Sequence, residues 1–176
     1  MGVFHRRVSR PDLPAPITAA LDLARGERVL AFGIDDHTGG YVVTTTYALA
    51  VVAPNAERIL RRRWLSVDAA AWEPETATLT VTWADRGRGG QWSFRDQLTL
   101  LPETLRERVQ ASVVLSTRLT LGDRRTGRVA IRQDFATREL IAQSILGPYS
   151  RADDPEVQAH VQAALAHLRD QVGLPA

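Results

Sequence analysis

Between residues 28 and 100 apolar and polar positions mostly alternate, and a spacing of three and four governs only three stretches of the chain. The first stretch follows Pro11, Pro14 and Pro16, which hold the backbone extended until Ile17, Ala20, Leu21 and Ala24 fall at helical spacing. This predicts a short helix over 16–25, ended by Gly26. The period then drops to two. Residues 29–35 read as a strand and 36–40 as a turn, while Tyr41, Val43, Thr45, Tyr47, Leu49 and Val51 alternate as one long strand or two joined by a bulge. After a break at Pro54 and Asn55, residues 58–72 read as extended with a kink near Ser66, and Pro74 is placed for a type I turn. Over 77–83, Leu79, Val81 and Trp83 face one way and Thr78, Thr80 and Thr82 the other, so one side belongs to a core. A Gly-rich loop over 85–90 then returns the chain along a strand lined by Trp92, Phe94 and Leu98.

Pro102 pre-sets the first turn of a second helix, which carries Leu105 and Val109 on one stripe and reaches about Ala111. Alternation resumes at Val113, Leu115, Thr117, Leu119 and Leu121, and two further strands are expected over 128–135 and 139–146 with turns at 122–127 and 136–137. The third helix is the best-specified element. Asp154 caps it, Pro155 takes its first position, Val157, Val161, Ala164, Leu165, Leu168 and Val172 form its apolar face, and Gly173 closes it. The fold class is therefore α+β. Residues 1–27 form an arm with a short helix, 28–111 an antiparallel body with a capping helix, and 112–176 a three-stranded meander and a C-terminal helix packed on the same core.

The order of short helix, Glu27-Arg28-Val29-Leu30-Ala31, turn, strand pair, 61–72 with a Trp near each end, Trp72-Glu73-Pro74-Glu75-Thr76-Ala77-Thr78-Leu79, hairpin and helix from Pro102 resembles bacterial pleckstrin-homology-like (PH-like) domains over about residues 16–111. The resemblance implies a curved antiparallel sandwich or partly open barrel with a helix plugging one end, and a binding or scaffolding module. Eukaryotic relatives hold phosphoinositides through basic residues of the first hairpin. Here that hairpin is Asp35-Asp36-His37-Thr38-Gly39-Gly40, whose carboxylates repel phosphate.

Composition narrows the function classes. The 176 residues contain no Cys, which excludes disulfides, thiolate metal sites and cysteine nucleophiles. The net charge is +2, every Lys-or-Arg position is Arg and none is Lys, as a GC-rich genome imposes. No stretch is apolar enough to span a bilayer, and no signal-peptide core follows the charges at the start, so a cytoplasmic protein is expected. Arg6 stands where myristoylation wants Ser or Thr.

Several groups are candidates for chemistry. Asp35, Asp36 and His37 are the one titratable cluster that suits a metal or a small enzyme, yet a metal needs further converging ligands, and Asp and Gly favour a polar hairpin tip. His160 and His167 lie two helical turns apart, which suits the rim of a packing face better than a ligand pair. Arg61 and Arg63 with Trp64 offer phosphate and base-stacking contacts, but alternation turns Arg62 the other way, and an Arg-rich edge strand also blocks sheet aggregation. Arg86 and Arg88 in an RGRGG loop, with Arg124 and Arg125 in a later turn, would extend these into a nucleic-acid surface. No P-loop, Gly-x-Ser-x-Gly or Gly-x-Gly-x-x-Gly occurs. The residues favour a non-enzymatic module without cofactor, its partner a protein or a second copy, over a nucleic-acid binder or an enzyme.

Overall fold

The computed structural model describes residues 12–122 and 124–174. The arm before Asp12, with the readings that fall on it, lies outside the described residues. Among the described residues three helices and ten strands follow one another: α1 (Ala15–Ala20), β1 (Val29–Ile34), β2 (Tyr41–Thr45), β3 (Ala48–Val52), β4 (Arg58–Arg63), β5 (Val67–Glu73), β6 (Thr78–Trp83), β7 (Gly90–Ser93), α2 (Leu101–Ser112), β8 (Val113–Arg118), β9 (Gly127–Gln133), β10 (Leu140–Leu146) and α3 (Pro155–Gln171). The strands make three antiparallel sheets, β1-β2-β3-β4, β5-β6-β7 and β10-β9-β8. None of them closes into a barrel.

The expected kink near Ser66 is a single 3₁₀ turn, Trp64–Ser66, that carries the chain from the first sheet into the second. Apolar faces of both sheets and of α2 meet there. Val42, Leu49, Trp64, Val67, Leu79, Val81, Trp83, Phe94, Leu101 and Leu105 form that core, and Leu79, Val81 and Trp83 take the inward side expected of them. Gly33 lets α2 and the β7 end approach closely, because a Cβ at that position would lie 2.8 Å from Phe94 Cδ1 and 2.9 Å from Leu101 Cδ1.

Four sequence expectations need correction. α1 stops at Ala20 and does not reach residue 25, because Asp22 turns to a φ of 49° and the Glu27 carboxylate captures the Ala24 N–H at 2.9 Å, folding 22–27 into a turn. Residues 41–51 are neither one strand nor a bulged pair but a tight hairpin. Its turn is held by the Thr45 hydroxyl, which accepts from Tyr47 N at 3.1 Å and Ala48 N at 2.9 Å, and both flanking strands are so buried that alternation runs on through it. Leu98, expected inside, is 99% exposed, since β7 ends at Ser93 and the following segment turns its polar side chains inward instead. Lastly, the meander and α3 pack chiefly on a core of their own, enclosed by Leu119, Leu121, Val129, Ile131, Val157, Val161, Leu165 and Leu168, while Phe135 just past β9 packs against the main core.

α3 carries the cap and face that its sequence specifies. Asp154 accepts from Glu156 N at 2.9 Å, and Gly173 ends the element at a φ of 69°.

Candidate binding surface

Arginines join the meander to the body. Arg132, on β9, is only 1% exposed, and its guanidinium spends its N–H groups on uncharged acceptors: Leu65 O at 3.1 Å, Val67 O at 2.6 Å, Trp64 O at 2.9 Å and, through Nε, Ser112 Oγ at 3.1 Å. One side chain thereby ties the 3₁₀ turn, the end of α2 and the third sheet together. Burial pushes its pKa down to about 10, the neighbouring Arg128 pushes the same way, and Asp68 opposes them. Arg128 in turn pairs with Asp68 on β5, and Arg63 with the buried Asp134 just past β9.

The remaining Arg candidates are mostly committed as well. Arg61 donates to the buried Glu27 at 2.6 Å and to Leu21 O at 3.1 Å, on the opposite side of β4 from Arg62, which pairs with Asp85 at 2.6 Å and lies over the Trp83 ring at 4.8 Å. Burial raises the Glu27 carboxyl's pKa, but the Thr45 hydroxyl, Arg61 and the Ala24 N–H outweigh it and hold the group below its usual range. Arg86 donates to the carbonyls of Leu146 at 3.1 Å, Gly147 and Ser150, which fastens the β6–β7 loop to the end of β10. Arg125 pairs with Glu156 at 2.8 Å and Asp154 at 3.4 Å, while Arg88 and Arg124 are exposed. Trp64 is 1% exposed and its indole N–H donates to Thr45 O at 3.0 Å, so it has no face to offer a base. β4 is an edge strand, as its arginines suggested.

The acidic hairpin is likewise occupied with backbone. Asp35 is buried and accepts from Thr38 N at 3.1 Å, Thr38 Oγ1 at 2.7 Å and Ser93 N at 2.9 Å. Asp36 accepts from Ser93 Oγ at 2.6 Å and Arg95 N at 2.9 Å, and these two bonds, the hydroxyl's foremost, hold its carboxyl below the usual range. Both carboxylates thus pin the first sheet's hairpin to the end of β7. His37 is exposed beside a dimple of about 120 Å³ lined by Thr78, Gln91, Trp92 and Ser93. Among the described residues no cluster of three or more His, Asp or Glu side chains is placed to hold a metal ion. His160 and His167 are exposed on α3, where His160 Nδ1 lies 2.8 Å from Glu156 O and His167 Nε2 lies 3.0 Å from Gln171 Nε2.

A wider concavity lies elsewhere, along β1. This groove of about 440 Å³ runs between α1 and the segment before α2, with Leu13, Leu30, Phe32, Leu98 and Leu100 among its walls. Among the described residues β1 pairs only with β2, and its other edge faces the groove. Part of that edge is covered by side chains imitating a neighbouring strand. Gln97 accepts from Ile34 N at 2.8 Å and returns a bond to Ile34 O at 2.5 Å, and Thr99 donates to Phe32 O at 2.8 Å. That alternation drives Leu98 and Leu100 outward, 99% and 52% exposed. Sequence reasoning missed Gln97, Thr99 and Leu100. The signal present was the alternation Gln97-Leu98-Thr99-Leu100 just before a helix, in which burial of the polar pair is the less usual choice.

Comparison with protein-family models, curated proteins and solved structures found no match to the chain. No helix among the described residues is long and apolar enough to cross a membrane.

Proposed function

We propose that this chain is a non-enzymatic PH-like binding or scaffolding module, with a protein partner docking over the groove beside β1. The order of strands supports the family reading: four antiparallel strands, a corner, three more and then a helix packed against β1, β2 and β5 follow in the sequence expected of such a domain. One observation carries the functional reading. The groove joins a cavity of about 440 Å³ to two exposed leucines outside the apolar cores, whereas the acidic hairpin and the committed arginines are bound up in holding the fold together. Large apolar side chains left together on a surface mark an interaction site.

Site-specific photo-crosslinking in cells tests this. A benzoylphenylalanine at Leu98 should give defined protein adducts, whereas the same group at Ile59, 65% exposed on β4, should not. Equal adducts at both positions, or none at 98, would remove the docking site. Stoichiometric zinc, manganese or iron in the purified protein would overturn the non-enzymatic reading.

A further inference from the structure

We infer that the uncovered part of the β1 edge takes an extended segment of a protein partner as an added strand, with apolar side chains against Leu98 and Leu100 and a basic residue beside Asp12. The inference rests on the module reading above and adds the chemistry of the occupant.

In an antiparallel sheet the N–H and C=O of a residue point to the same side, and the side alternates along the strand. The bonds from Gln97 and Thr99 establish that Ile34 and Phe32 turn theirs away from β2. Both groups of Ile34 are engaged by Gln97, but of Phe32 only the carbonyl is bonded to Thr99, and its N–H points toward the groove. Side-chain mimicry therefore stops partway along the edge. Beyond it the pairing of β1 with β2 shifts register at a bulge between Val29 and Ala31, and Ala31, Leu30 and Val29 all line the groove. A strand edge of this kind is a template for another strand, and peptide addition to it is a recurrent mode of recognition. Gln97 and Thr99 block continuous pairing along the whole of β1, so the site suits a short segment over a second full-length strand.

Charge selects among such segments. Among the described residues Asp12 is the one ionisable side chain lining the groove, which otherwise presents aliphatic and aromatic carbon with Thr18 and Thr99. With no cation among the described lining residues, Asp12 repels an acidic or phosphate-bearing ligand over an apolar floor, while a neutral segment ending in Arg or Lys gains a counter-ion.

The probe is fluorescence anisotropy on the full chain with labelled six-residue peptides alternating Val and Thr and carrying Arg at one end or the other, against Glu counterparts. One Arg peptide should saturate, bind about tenfold tighter than its Glu counterpart, and lose about tenfold or more on Leu98→Asp. Asp12→Asn should erase the Arg-over-Glu preference. N-methylation of alternate peptide amides should abolish binding in one phase and spare it in the other, which a purely greasy contact would not do. Leu98 is exposed, so the variant's thermal melt should match the parent's and a lost signal cannot be ascribed to unfolding. No saturation by either Arg peptide to about 1 mM, indifference to Leu98→Asp, or indifference to N-methylation would overturn strand addition. So would a dimer in sedimentation that Leu98→Asp dissolves, which would assign the groove to a second copy. If crosslinks at Leu98 persist while the peptides fail, the module stands and strand addition falls.

Discussion

Replacing Arg132 with Met keeps an unbranched but shorter stem, removes the charge and takes away the buried donors that this side chain supplies to the joint between the two cores. The carbonyls of Leu65 and Val67 and the Ser112 hydroxyl then lose their guanidinium partner in a region that excludes water. A buried acceptor stripped of its donor costs about 1–3 kcal/mol. Against this stands the relief of desolvating a guanidinium, several kcal/mol on its own and, for Arg132, uncompensated by a directly bonded carboxylate. The balance is a net loss of about 2–4 kcal/mol, or about 8 °C in Tm for a chain of this size. Urea unfolding should be followed by tryptophan fluorescence, because all four Trp lie in the first two sheets or the turn between them, and by far-UV circular dichroism, to which α3 contributes strongly. In the parent the two signals should change together. In Arg132→Met they should separate, the helical signal falling first, since the meander keeps its own core but loses its main attachment. Arg132→Lys should lie between the two, a compact ammonium being unable to reproduce the fork. A Met variant as stable as the parent, with coincident transitions, would show that the guanidinium contributes no net stability to the joint.

Three further outcomes follow from the same structure. Glu27 has a folded pKa below its unfolded value, so its contribution is complete above about pH 4.5 and is lost as pH falls through the lower folded value; thermal melts between about pH 6 and 3 should show this slope, and Glu27→Gln should flatten it. Gly33→Ala forces a methyl against Phe94 and Leu101 and should destabilise by about 1–3 kcal/mol in urea unfolding, whereas His37→Ala at the exposed hairpin tip should change stability by less than about 0.5 kcal/mol. Arg86→Ala releases the carbonyls of Leu146, Gly147 and Ser150 and should speed amide exchange over 146–150 while costing about 1 kcal/mol overall.

Patterns that depend on neighbours in sequence were legible from the chain alone. The alternation of Leu79, Val81 and Trp83, the cap at Asp154, the turn at Pro74 and the helix from Pro102 each follow from local sterics and a single buried face, and each has its place in the structure. What residues distant in sequence do to one another was not. Nothing local marks Arg132 as buried among carbonyls, or separates it from the exposed Arg124, because a guanidinium's surroundings are set by segments more than sixty positions away. The run Arg61-Arg62-Arg63 was legible as an edge strand, but not its partners Glu27, Asp85 and Asp134, which come to it from three other parts of the chain. Leu98 shows the converse. Its alternation correctly indicated an extended segment, but which face turned inward depended on the free backbone of β1, whose demand for hydrogen bonds drew Gln97 and Thr99 in and left the leucines in water. Local patterning determined the elements, and the pairing of polar groups across the fold decided which side chains were consumed and which remain to meet a partner.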